Sequence, residues 1–177
     1  MKELELNKAF TLMEPGPVTM ITTSDKGKDN IMTLSWHIVL GFEGRLAIMT
    51  GPWNYSYTAL IKNKECVINI PCEDLIEKAI GVGTTTGSET DKFKKFKLTP
   101  VKSHLVNPPS IKECIAGIEC RVIDEVKEYD LIILETVYAW TNNGYGESKS
   151  FHYSGDGIFI VDGRHLDYKR EMSTRLP

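Results

Sequence analysis

The sequence has no apolar run near the roughly 18 to 20 residues that a membrane-crossing helix needs, and no N-terminal basic end followed by an apolar middle. A cytoplasmic protein with no membrane partner is therefore expected. Cysteine is scarce, with four in 177 residues, and none falls in a C-x-x-C pair. Reduced thiols are expected, with Cys66 and Cys120 as small buried hydrophobes inside strand-like runs. Basic residues form no stripe. With 21 Lys and Arg against 24 Asp and Glu the net charge is -3, which argues against a nucleic-acid surface. The densest basic run, KFKKFK (Lys92 to Lys97), reads as a solvated helix face at Lys94, Lys95 and Lys97.

Catalytic signatures are missing too. The four histidines, His37, His104, His152 and His165, show no metal-ligand spacing and no H-E-x-x-H, so no metal site is expected. Without a G-x-S-x-G elbow, hydrolase chemistry has little support. GVGTTTG (Gly81 to Gly87) follows a helical segment rather than a strand and contains no G-K-[ST]. It is neither a dinucleotide fingerprint nor a P-loop, and reads as a flexible loop whose glycines and hydroxyls can form an anion nest. There is no internal repeat and no linker.

What remains is a pattern of short strands. PVTMITT, SDKGKDN and IMTLSWHIV read as strand, turn and strand. RLAIMT, CVINI, IECRVIDEV, DLIILETVYAW and GIFIVDG continue the series, with connections mostly too short for crossover helices. A mainly β chain with short helices is expected, closed as an antiparallel barrel. The length suits one domain over residues 1–177, ending in a short polar tail from about 166. Helical segments are expected at Asn54 to Asn63, at Glu73 to Ile80, and after Ser88, which stands as N-cap three residues before an acid. DLIILETVYAW is apolar on both faces through Leu131 to Leu134, so a helix or a second subunit should cover its outer side.

Two helix starts together suggest an anion site. Asn54, Ser56 and Thr58 open one, and Ser88, Thr90 and Lys92 the other, where free N–H groups and the helix dipole favour phosphate. Simple capping by Asn54 and Ser88 is the competing explanation. A second puzzle is the stretch NIMTLSWHIV, which carries Thr33, Ser35 and Trp36 inside an apparent core strand.

The order of these motifs (PVTMITT, NIMTLSWHIV, GPWNYSYTALIKNKECVINIP, GSETDKFKKFKLTPV, IKECIAGIECRVIDEV) resembles the flavin reductase-like, flavoredoxin-type FMN-binding split-barrel family, from about Pro17 to Trp140. The resemblance implies a six-stranded antiparallel split β-barrel that binds FMN tightly near a homodimer interface. It implies that Asn30, Met32, Thr33, Leu34, Ser35 and Trp36 line the isoalloxazine. Gly51, Asn54, Tyr55, Ser56, Tyr57, Thr58 and Ser88, with Lys92 of D-K-F, would hold the ribityl and phosphate groups. Two departures follow. Asn54 stands where many relatives carry arginine, which puts more of the phosphate charge on Lys92. Trp140 stands where relatives often have a histidine near the nicotinamide. The implied function is an oxidoreductase passing electrons from NADH, NADPH or a reduced protein to a flavin, metal or redox-protein acceptor, with no catalytic acid or base assigned. Its alternatives are a non-enzymatic flavoredoxin-type carrier and a barrel that binds another phosphorylated ligand.

Overall fold

The hairpin expected at SDKGKDN forms with longer strands and a tighter turn. In the computed structural model, which describes residues 16–171 apart from residue 42 and residues 143–146, β1 (Thr19–Asp25) pairs antiparallel with β2 (Lys28–Leu34). Only Lys26 and Gly27 turn, at φ 51° and 77°. Positive φ at both central residues gives the turn whose twist matches that of the strands it joins.

NIMTLSWHIV is two strands, not one. β2 ends at Leu34, and β3 (His37–Val39) begins after Ser35 and Trp36 to pair with β4 (Arg45–Met49). With β5 (Glu65–Ile70) the chain returns beside β1. One helix precedes β5; the others and two short strands, β6 (Pro100–Val101) and β7 (Ser110–Ile111), fill the long connection from β5 to β8 (Ala116–Val126), which β9 (Leu131–Thr141) follows. A small hairpin of β10 (Phe151–Tyr153) and β11 (Phe159–Val161) follows. The main sheet has seven strands in the order β2-β1-β5-β8-β9-β4-β3, all antiparallel. β2 and β3 are its opposite edges, yet only two residues join them. Such a link spans no more than roughly 10 Å, so the sheet curls until its edges nearly meet. This is the split barrel, with seven strands where six were expected because the Ser35–Trp36 break divides one strand into two.

Curling creates two apolar compartments. Inside the curl pack Ile21, Met32, Ile48, Leu60, Ile132 and Leu134. Outside β1 and β2, Met20, Ile31, Ala79, Val82 and Phe93 pack under the helices α2 (Ile76–Gly83) and α3 (Lys92–Lys95), which supply the last three, whereas α1 (Tyr55–Asn63) sends Leu60 into the inner compartment. Neighbours Met20 and Ile21 thus serve different compartments, which is why β1 is apolar on both faces. Each such buried side chain contributes about 1.5–3 kcal/mol relative to exposure. On β9, Ile132 and Leu134 are buried while Leu131 and Ile133 stay partly exposed. No helix among the described residues is long and apolar enough to cross a membrane.

Two helix expectations are corrected. Asp91, not Ser88, caps α3, its carboxylate accepting from the Lys94 N–H at 3.0 Å. Ser88 lies in a turn, paired with the Thr86 hydroxyl at 2.9 Å. An acid directly before the first helical residue reaches the free N–H groups of the first turn, which a serine three residues earlier cannot. Nor is GVGTTTG all loop, since Gly81, Val82 and Gly83 form the last turn of α2.

The outer face of β8 carries a fully buried acid. Glu119 accepts from the His104 N–H at 2.7 Å and the Leu105 N–H at 2.6 Å, pinning the loop before β7 to the sheet. Charge-assisted bonds of this kind contribute roughly 1.5–3 kcal/mol each. Glu119→Ala is expected to lower the unfolding free energy by about 3 kcal/mol in urea titrations, and Glu119→Gln, which keeps one acceptor, by less. Equal stability of all three proteins would show that the loop holds itself.

Candidate flavin and phosphate site

The site is built where α2 crosses β2. The Thr33 hydroxyl donates to the Ala79 carbonyl at 2.6 Å, tying strand to helix. Beyond α2 the Thr84–Ser88 loop turns back over Asn30. A Cβ at Gly87 would run into the Asn30 amide and the Tyr55 ring, so only glycine lets the loop lie this close. Beneath it, Asn30 Nδ2 donates to Ser56 Oγ at 2.7 Å, and the Ser56 N–H donates to Asn54 Oδ1 at 3.3 Å. The start of α1, the loop and β2 are therefore one bonded unit.

Two adjoining cavities open along this unit. A polar one of about 330 Å³ is bounded by Asn54 and Tyr55 at the start of α1, by Thr85 and Thr86 of the loop, and by Lys92. An apolar one of about 480 Å³ lies between Leu34, Ile80, Tyr153 and Phe159. Thr33, Gly83 and Thr84 line both, which makes them two ends of one trough.

Lys92 dominates the electrostatics of the polar end. It is 5% exposed, and its ammonium donates to the Ile31 carbonyl at 2.8 Å and the Val82 carbonyl at 2.9 Å. A lysine has three donors, so one remains for the cavity that it lines. Among the described residues no carboxylate forms an ion pair with it. Burial without a counter-charge lowers its pKa from 10.5 to about 8. At neutral pH the trough thus presents a buried cation beside the N-terminus of α1, two features that both favour an anion. Among the described residues its other ionisable side chains are the phenols of Tyr55 and Tyr153, and no Asp, Glu, His or Cys lines it.

Of the expected residues, Met32, Thr33, Asn54, Tyr55 and Lys92 line the polar cavity, and Thr33, Leu34 and Ser35 the apolar one. Asn30 and Ser56 are buried directly below, and Gly51 makes the turn into α1, its carbonyl accepting from the Asn54 N–H at 2.9 Å. Four lie outside the trough. The Trp36 indole, half-exposed, lines a neighbouring hollow with Ile38, Met49 and Leu131, which meets the apolar cavity at Ser35. Tyr57 donates its hydroxyl to Glu125 of β8, Thr58 is exposed on α1, and Ser88 faces solvent. Trp140 is also elsewhere. Its ring covers Gly117 across the β8–β9 ladder, and it borders another cavity, about 790 Å³, which shares no lining residue with the trough among the described residues. Sequence reasoning missed Trp53, Ile80 and the pair Tyr153 and Phe159, the last two carried in by the β10–β11 hairpin. The motif FHYSGDGIF was their only signal.

A curled antiparallel sheet with a trough that is cationic at one end and apolar at the other defines a split-barrel protein. The chain belongs to the flavin reductase-like domain family, whose sequence model matches residues 12–161. A protein of Archaeoglobus fulgidus is 31% identical over 134 residues, covering 74% of this chain and 76% of its own. The flavoredoxin of Desulfovibrio vulgaris (Miyazaki F) superposes with a TM-score of 0.84 at 21% identity, over 94% of this chain and 96% of its own. An FMN-binding domain of a flavin reductase-like enzyme from Shewanella baltica gives 0.78 at 23% identity, over 93% and 95%.

The lowered Lys92 pKa fixes a pH dependence. Between about 8 and 10.5 the unfolded chain holds this proton and the folded one has lost it, so folding stability gains with rising pH, by up to about 1.4 kcal/mol per unit. Below 8 the cost of the buried charge is present in full. Urea titrations at pH 7.5 and 9.5 should show this gain relative to Lys92→Met. Identical pH profiles for the two proteins would mean that Lys92 titrates as an exposed lysine does.

Proposed function

We propose that the trough binds FMN and that the protein is a flavin-dependent oxidoreductase, taking electrons from a reduced nicotinamide or a reduced protein and passing them to a flavin, metal or redox-protein acceptor. One observation carries this reading. Among the described residues the buried ammonium of Lys92 meets no counter-ion in its cavity and keeps one donor beyond its two carbonyl bonds, and a phosphate supplies the partner. The rest of the lining fits the same molecule. Asn54, Thr85 and Thr86 offer hydroxyl and amide groups to the phosphate and ribityl chain. Leu34, Ile80 and Phe159 offer apolar surface to a flat ring, and Ser35 a polar edge. When bound, the flavin supplies hydride acceptance and onward electron transfer. The chain's part is to hold it and orient it; among the described residues no carboxylate or imidazole lines the trough.

A flavoredoxin-type carrier is the second reading. It is favoured by Trp140, which stands where relatives often have a histidine and lies away from the trough. We also read the protein as a homodimer. Trp36, Ile38 and Leu40 alternate along one outer face, 49%, 53% and 47% exposed, and Met49 and Leu131 extend that face. A second copy is the natural cover for such a patch, and sedimentation velocity should give the mass of two chains.

The natively purified protein is expected to show flavin absorption bands. Anaerobic NADH or NADPH bleaches them if it is a reductase; if it is a carrier they persist with both and bleach with dithionite. No bands even with added FMN would overturn both readings. Lys92→Ala should weaken FMN binding tenfold or more, about 1.4 kcal/mol. In the wild type, binding should weaken above pH 8 with proton uptake, since the bound anion needs the charged ammonium.

A further inference from the structure

The rim of the polar cavity carries two exposed aromatic rings. Trp53 and Tyr55 are 66% and 44% exposed, yet both line the cavity that Lys92 also lines. A large aromatic side chain is usually far more buried, and this indole is held in place. Three carbons of its benzene ring stand where a Cβ at Gly51 would be, so the missing Cβ is the seat of the ring. Tyr55 is fixed as well. Its ring borders Gly87 of the Thr84–Ser88 loop, and its hydroxyl accepts from Lys28 Nζ at 3.1 Å. Two rings fixed at the mouth of an anion site form a platform on which a nucleobase can stack.

Positive charge lies along the same rim. Lys28 Nζ is 5.2 Å from the centre of the Tyr55 ring and 3.4 Å from the Ser88 carbonyl. At the other end of the loop, Lys95 Nζ is 3.5 Å from the hydroxyl of Thr85, which lines the cavity. Both lysines are exposed, and among the described residues neither forms an ion pair. The cavity thus has cations at two depths, Lys92 buried and the other two at the surface. A terminal phosphate concentrates close to two charges on one group, and the buried ammonium with the start of α1 can meet it. A diphosphate spreads two charges over two groups and needs cations at two places. In FAD the flavin phosphate continues through a second phosphate and a ribose to adenine. With the first phosphate at Lys92, the second falls among the rim lysines and the base emerges beside Trp53 and Tyr55.

We propose that the rim of the polar cavity is an adenylate subsite, in which Trp53 and Tyr55 stack on adenine while Lys28 and Lys95 hold the second phosphate of FAD. FAD is then the flavin that fills the trough best, its FMN half lying as described above. This rests on the trough being the flavin site and names which flavin it prefers; the aromatic and cationic rim itself does not depend on that reading.

The test titrates the full-length, flavin-free protein calorimetrically with FMN, FAD and ADP. FAD is expected to bind about fivefold or more tightly than FMN. ADP alone is expected to bind, to quench tryptophan fluorescence, and to be displaced by FAD. Trp53→Ala should abolish both the preference for FAD and the binding of ADP, whereas Trp53→Phe, which keeps a ring, retains part of each. Because Trp53 is exposed, Tm of both variants should stay within about 2 °C of the wild type. FAD binding no tighter than FMN, or a preference for FAD that survives Trp53→Ala, would overturn the proposal. ADP binding undiminished by FAD already in the trough would assign the adenylate to a second molecule, such as a nicotinamide dinucleotide, and overturn FAD as its source. Binding of ADP through Trp53 by a protein that takes up neither flavin would count against the flavin reading and leave the adenylate subsite standing.

Discussion

A lysine ammonium held by two main-chain carbonyls, and facing no carboxylate among the described residues, is the constraint around which this molecule is arranged. The Lys92 side chain joins the three pieces of the trough: its own helix start, the Ile31 carbonyl of β2 and the Val82 carbonyl at the end of α2. Carbonyls can orient a buried cation but cannot neutralise it, and the lowered pKa records the shortfall. The fold tolerates this local cost because an anion in the adjoining cavity removes it. In that sense the protein without ligand is poised, and its most strained electrostatic feature is also its binding determinant.

The barrel exists to hold that geometry. Because Ser35 and Trp36 alone connect the two edges of the sheet, β2 cannot move without carrying β3 and the closure of the barrel with it. The trough lies against β2 on the compartment side, where Thr33 is bonded to α2 and Asn30 to the start of α1. The opposite wall is positioned by the chain between β5 and β8, whose two ends meet where Ile70 pairs with Ala116, and by the β10–β11 hairpin. One wall is thus fixed by the sheet and the other by a long excursion and a late hairpin.

Much of this was legible in the sequence, unevenly. The hairpin could be read because alternating β-branched residues flank K-G, and a positive-φ pair is what that turn demands. The Ser35–Trp36 break could not, since two polar or amphipathic residues inside an apolar run look the same whether they face a ligand or end a strand. The run KFKKFK is instructive. Composition reads it as a solvated face, which is true of Lys94, Lys95 and Lys97. It took the D-K-F motif of the family to separate out Lys92, because a four-residue helix is too short for its own periodicity to assign a buried face. Asp91 competed with Ser88 for the cap and won by proximity. The contribution of Tyr153 and Phe159 was hidden for another reason: a late hairpin reaches the trough through tertiary packing that no local pattern encodes.

The central claim is that the trough selects the flavin by its phosphate, through Lys92. It is tested most directly by comparing the affinities of FMN and riboflavin for the apoprotein by fluorescence titration, in the wild type and in Lys92→Met. A buried charge-assisted contact predicts that FMN binds at least tenfold more tightly than riboflavin in the wild type, with the difference largely lost in the variant while riboflavin affinity stays the same. Equal affinity of the wild type for the two flavins would contradict the account, because the unpaired ammonium would then have no part in recognition.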